Sequence, residues 1–211
     1  DGAKGAFANA KKYSDRFFSK AGDENDAIIL YDYQLRADIL EKTGGTPEEI
    51  SGTYLQSTRV DTLATLKVDL LKKGADRFKA RGDSLSRVLE GVLRTEVIKV
   101  KPTPSQRDYF DAGFAFYQGK DYTHADSLFT IYVNKYPEEM YGYMMLYNIQ
   151  RAVDTSMEMG TAVPWAIKYL EILEKDTVKN KKTIIGVAGY LAAYSANILK
   201  DKEKALQYLR R

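Results

Sequence analysis

Apolar positions recur along this chain at three- and four-residue steps, the period of an amphipathic helix. Between residues 25 and 42 the pattern runs through Ile28, Ile29, Tyr31, Leu35 and Ile39–Leu40. Between 84 and 94 it runs through Leu85, Val88, Leu89 and Val92–Leu93. Long strand-like alternation is absent. The one candidate, EVIKVKP at 96–102, is short and ends at a proline, so it reads as a connector. The spacing predicts an all-α chain.

Turn and cap residues punctuate the helical pattern at steady intervals. Thr46-Pro47-Glu48-Glu49 combines a cap residue, a proline at the first helical position and a glutamate three residues after the cap. That combination starts a helix with its free amides satisfied. Gly82-Asp83-Ser84 and Gly119-Lys120-Asp121 each read as a stop followed by a start, and Lys200-Asp201-Lys202 resembles them. Gly160, Thr161 and Pro164 mark another turn, and NAKKY near residue 12 resembles QGKDY at 118–122. Turns at 12, 46, 83, 121, 162 and 201 are separated by 34, 37, 38, 41 and 39 residues. A period of this size with two helices per unit predicts a helical-hairpin repeat. One hairpin cannot bury its apolar face, whereas stacked neighbours share a core. The predicted arrangement is a single repeat domain over 1–211, with approximate hairpins at 1–22, 25–58, 60–96, 105–136, 138–176 and 181–211.

The strongest unit carries a specific motif. Tyr109, Ala112, Gly113 and Phe116 precede the turn at 121, and Ala125, Phe129 and Pro137 follow it. Small residues at 113 and 125 suit a close helix crossing, rings at 116 and 129 fill the space beside it, and Pro137 ends the second helix. This stretch resembles the tetratricopeptide repeat (TPR) family, whose pattern is aromatic-x2-L-G-x2-aromatic, then A-x3-F, then P. Other units match in part. Ala193, Ala205 and Leu209 fit, as do Ala75 and Phe78, while Arg87 and Gly91 depart from the second-helix pattern and Ile50 and Tyr54 are larger than it wants. Ala166 and Leu170 fit if DTSMEMG at 154–160 is a loop insertion. The resemblance implies a right-handed α-solenoid of TPR-like hairpins. Residues 141–176 also look like a recurring unit of bacterial TPR proteins, many of them exported to the periplasm, which implies a periplasmic or otherwise extracytoplasmic location.

Composition narrows the chemistry. The 211 residues carry a net charge of +3, with 29% charged and 44% hydrophobic residues and no cysteine. Disulfides, thiolate metal sites and a cysteine nucleophile are therefore excluded. No run of about 18 apolar residues exists to form a membrane-spanning helix. The chain opens on a helical pattern without Met and closes on one without a stop, so it is expected to be a piece of a longer protein.

No catalytic, metal or cofactor constellation emerges. His124 is the only histidine, lies beside Ala125 on a helix, and has no companions at metal-ligand spacing. No serine sits in a nucleophile motif, and TGGTPEE lacks the lysine and preceding strand of a phosphate loop. Glu48-Glu49 and Glu138-Glu139 complement helix N-termini. LKKG at 71–74 and KNKK at 179–182 read as solvated ends without coincident stacking aromatics, so no nucleic-acid partner is expected. Trp165, after Pro164, is predicted to be a buried staple. All five methionines lie between 140 and 159, which suits an adaptable binding wall or gap-filling between helices beside an irregular loop.

The TPR register places Phe114, Tyr117 and Gln118, then Tyr141, Met144, Asn148 and Arg151, then Tyr190, Tyr194 and Asn197 on the concave face of the first helices. Each tyrosine alone equally suits packing with a wet hydroxyl. As a set, rings, amides and an arginine suit peptide recognition. The expected function is a non-enzymatic scaffold binding a peptide or partner protein in that groove. The alternative is an extracytoplasmic glycan-binding or transport-accessory protein on a TPR frame.

Overall fold

The structure, a computed structural model, describes residues 2–20 and 28–210. The described residues form helices joined by turns, with no strand among them. The chain divides into two compact units, residues 1–121 and 122–211.

The first unit contains α1 (Gly2–Lys20), α2 (Leu30–Lys42), α3 (Pro47–Gln56), a 3₁₀ turn at Ser57–Arg59, α4 (Ala64–Arg81), α5 (Ser84–Val100) and α6 (Gln106–Gln118). Local chemistry sets several of these boundaries. The Thr46 hydroxyl accepts from the Glu49 amide at 3.2 Å, and the Glu49 carboxylate accepts from the Thr46 amide at 2.8 Å. Pro47 occupies the position where no amide is needed. Gly82 ends α4 at φ 77°, a left-handed conformation that side chains resist. The Asp83 side chain then accepts from the Ser86 amide at 2.9 Å and starts α5.

Three expectations change here. The turn near residue 12 is absent, because α1 is one helix through that point. NAKKY holds no glycine or proline, and a Lys11–Asp15 ion pair of 2.6 Å spans the site. QGKDY, by contrast, turns because Lys120 adopts φ 64°. The rest of the expected 1–22 hairpin runs into residues 21–27, which lie outside the described residues. The connector at 96–102 begins only at Lys101: α5 continues to Val100 because Val97 is buried in the core. On α2, the buried face is Tyr33, Ala37, Ile39 and Leu40, whereas Ile29, Tyr31 and Leu35 are exposed.

Tyr54, Leu71, Phe78 and Leu93 are buried at the centre of this unit. Two glycines admit the large rings. A methyl group at Gly74 would lie 2.7 Å from the Tyr54 ring, and one at Gly91 would lie 2.8 Å from the Phe116 ring. Tyr54 and Gly91, both departures from the repeat motif, are thus each matched by a partner of complementary size. The buried Glu90 is neutralised by Arg87 at 2.9 Å and Arg94 at 2.7 Å. Such pairing is what makes a buried carboxylate tolerable.

The second unit contains α7 (Tyr122–Lys135), α8 (Met140–Val153), α9 (Val163–Leu173), a 3₁₀ turn at Glu174–Asp176, α10 (Thr177–Asn197) and α11 (Lys202–Leu209). Pro137 follows the end of α7, and Pro164 sits at the start of α9. Here again a glycine meets a ring: a methyl at Gly142 would lie 2.6 Å from Tyr132 and from Val133. The 154–162 segment is a loop that takes left-handed backbone at Met157 and Gly160. Ala166, Leu170, Leu173 and Leu191 lie in the core, and Trp165 is half-buried against it. Met145 is buried, Met140, Met144 and Met157 are partly buried, and Met159 is exposed.

Candidate functional site

On α8, Tyr141, Met144, Asn148 and Arg151 follow helical spacing and share one side of the helix, while Gly142, Met145, Leu146 and Ile149 face the core. Tyr141 and Arg151 are exposed, and Met144 and Asn148 are half-buried. On α10, Tyr190, Tyr194 and Asn197 share a side in the same way. Asn197 is exposed and Tyr194 half-buried, but Tyr190 is only 9% exposed. Tyr190 therefore contributes mainly packing, which corrects its expected place on an open surface. Its position is dictated by Tyr147, whose ring meets it edge-on at 5.3 Å.

Arg151 links the two helices. Its guanidinium carbon lies 5.2 Å from the centre of the Tyr147 ring and 5.4 Å from that of Tyr190. The flat cation is held over two π faces, an arrangement that orients it without consuming its charge. No carboxylate pairs with Arg151 among the described residues. Gln150, one position earlier, is instead committed to Asp126 at 2.6 Å.

The surroundings tune these groups. Burial, and secondarily the Asp154 carboxylate, push the Tyr190 hydroxyl above the usual tyrosine range, against the influence of Arg151. Burial likewise raises the Tyr147 hydroxyl despite Arg151. The Tyr190 hydroxyl makes no hydrogen bond among the described residues. Asp154, itself buried, accepts from the Thr161 amide at 3.4 Å and closes the loop. Tyr194 seats its ring and hydroxyl against Gly160, in the space that a β-carbon at that position would take. The expected set omits Tyr147 and Asp154. Tyr147 was detectable as an aromatic four residues before Arg151, the spacing that stacks side chains on a helix. Asp154 had no local signal.

In the first unit, Phe114 and Tyr117 are half-buried and Gln118 is exposed. Phe114 stacks on Phe110 at 5.7 Å and Tyr117 on Phe114 at 6.3 Å, so the rings form a ladder along one side of α6. Phe110 was likewise omitted from the expected set, although 110, 114 and 117 follow helical spacing.

One cleft of the first unit has three of its four cations paired. A cavity of about 290 Å³ between α4, α5 and α6 gathers Lys72, Arg94, Lys101 and Arg107. Arg94 is paired with Asp76 and Glu90, Lys101 with Asp108, and Arg107 with Asp111. Among the described residues, no group of three or more histidines or carboxylates could hold a metal ion. No helix there is long and apolar enough to cross a membrane.

No family model matches the chain. No curated protein matches it either. The chain is similar in structure to the C-terminal part of a TPR repeat-containing protein from Cytophaga hutchinsonii, known from a crystal structure. The TM-score is 0.56 at 22% sequence identity, over 96% of this chain and 76% of that one. The likeness, together with the helices above, shows the fold: an all-α solenoid of TPR-like helical hairpins.

Proposed function

We propose that this chain is a non-enzymatic scaffold that captures a peptide or a segment of a partner protein. The receiving surface is the side of α8 and α10 that carries Tyr141, Met144, Asn148, Arg151, Tyr194 and Asn197, with Tyr190 as its floor. Phe114, Tyr117 and Gln118 on α6 are contact positions of their own. One observation carries this reading: Arg151 is exposed, oriented by two rings and unmatched by any acid of the described chain. A cation fixed in this way loses little freedom on binding, which favours recognition. The general use of TPR folds in protein interactions supports the same class of function.

The test is selection from a random-peptide display library on the purified protein, followed by calorimetry of enriched peptides. Arg151→Ala and Tyr141→Ala are expected to weaken binding at least about tenfold, the loss typical of a central contact. A library that yields no ligand, or ligands indifferent to both substitutions, would count against the surface. The proposed setting is periplasmic or otherwise extracytoplasmic, resting on the resemblance of residues 141–176 to exported bacterial TPR proteins. Fractionation of the native cells with an antibody to this chain tests it, and recovery in the cytoplasm would refute it.

A further inference from the structure

The first half of α10 presents a second surface. Val178 is 90% exposed and Ile185 is 63% exposed. With Lys182 and Gly189 they fall at i, i+4, i+7 and i+11, a spacing that keeps all four on one side of the helix. Ile184, Val187 and Leu191 face the core on the opposite side. Apart from the adjoining backbone of α10 itself, no described atom lies within 4 Å of where a methyl at Gly186 or Gly189 would stand, so that end of the stripe is flat and open. Tyr190, Tyr194 and Asn197 point roughly a third of a turn away, which separates this stripe from the Arg151 surface.

Beside the stripe runs a cleft of about 600 Å³ lined by Glu174, Thr177, Val178, Lys181, Ile184 and Ile185. Its charge is lopsided. Lys179, Lys181 and Lys182 are all exposed, and no carboxylate pairs with any of them among the described residues. Glu174 at the edge is the one acid in the lining. Two apolar side chains at i and i+7 with flanking ammonium groups match an amphipathic helix laid along the groove. Lysine stems can cover the apolar contact while their heads meet opposite charge.

We propose that this face of α10 docks an acidic amphipathic helix of a partner protein, its apolar seam against Val178 and Ile185 and its carboxylates against Lys179, Lys181 and Lys182. This goes beyond the Arg151 surface, and either could fail without the other.

The probe is a designed amphipathic peptide with leucine and alanine along one seam and glutamates on both flanks. A counterpart with lysines in place of the glutamates is the control, and fluorescence anisotropy on the whole chain is the readout. The acidic peptide is expected to bind saturably and the basic one not. Val178→Glu with Ile185→Glu should weaken binding at least tenfold, and both side chains are exposed, so the fold should survive. Lys179→Glu with Lys182→Glu should reverse the preference towards the basic peptide. Equal affinity for the two peptides, or no binding of either, would overturn the proposal. So would binding of the chain to phosphatidylserine vesicles without binding to the peptide, which would assign the face to a membrane. Dimerisation in sedimentation experiments that the Val178/Ile185 pair abolishes would also overturn it, by assigning the face to a second copy.

Discussion

Gly91 faces the ring of Phe116 so closely that a methyl group there would lie 2.8–2.9 Å from three ring atoms. Gly74 stands in the same relation to Tyr54, and Gly142 to Tyr132. Large residues in one helix are accommodated by the absence of a side chain in another, which is how close packing tolerates a degenerate repeat.

Gly91→Ala should therefore run against the usual helical trend. Alanine gains about 1 kcal/mol over glycine in a helix interior. Overpacking a filled core costs about 1–3 kcal/mol. The expected net effect is destabilisation. Gly186→Ala, on an exposed helical position with open space, should stabilise by up to about 1 kcal/mol. Urea denaturation of the two variants checks the pair, and a stabilising Gly91→Ala would mean that the Phe116 ring yields.

Tyr54 makes stability depend on alkaline pH. Burial pushes its hydroxyl from the ordinary 10.0 up to about 12, against the pull of Arg77. The folded chain thus keeps this proton while the unfolded chain releases it. The contribution is fully present below pH 10 and is lost as pH rises towards 12. It amounts to roughly 2–3 kcal/mol at full loss, at about 1.4 kcal/mol per unit. Tyr54→Phe should flatten this part of the stability profile relative to the parent. It should cost little at pH 7, because among the described residues no well-formed hydrogen bond holds the hydroxyl and Arg77 stands beside it only as a nearby charge. Parallel denaturation series at pH 8 and pH 11 measure the difference.

Arg151 and Tyr190 should separate under mutation although they touch. Arg151 is exposed, and its stacking on the rings contributes no more than about 1 kcal/mol to folding. Arg151→Ala should leave the melting temperature nearly unchanged. Tyr190→Ala empties a filled site and should cost about 3–5 kcal/mol. Tyr190→Phe removes only an unpartnered hydroxyl and should be close to neutral. Thermal melts of the three variants distinguish a surface cation from its packed support.

Thr46→Ala should cost about 1 kcal/mol, since it removes one half of the reciprocal cap at the start of α3. Thr46→Ser should restore most of the loss, because serine keeps the hydroxyl acceptor. Chemical denaturation of both variants tests whether the cap itself, rather than the bulk of threonine, holds the helix start.

What could be read from the sequence follows from the range of each interaction. Helix starts at Thr46 and Asp83 were legible because capping is a local contact, spanning three residues. The motif at 109–137 announced the fold class because it repeats small and aromatic residues at fixed offsets. The false turn at residue 12 came from matching letters where the backbone requirement differed: Lys120 takes a left-handed φ, and the 9–13 segment asks for none. The ring partners of Gly74, Gly91 and Gly142 lie 20, 25 and 10 residues away, so no local pattern reveals them. Tyr190 was misplaced for the same reason, since its burial depends on Tyr147, 43 positions earlier.

The most direct measurement is methyl NMR of the chain with labelled methionines, titrated with a peptide selected on it. All five methionines lie within residues 140–159, so they sample the proposed surface, the core behind it and the adjoining loop. Met144 shares a helix side with Tyr141 and Arg151, while Met145 is buried and Met159 is exposed on the loop. Binding at the proposed surface predicts a large, saturating shift of the Met144 methyl that Arg151→Ala suppresses. A saturating titration that leaves Met144 unmoved in the parent would contradict it.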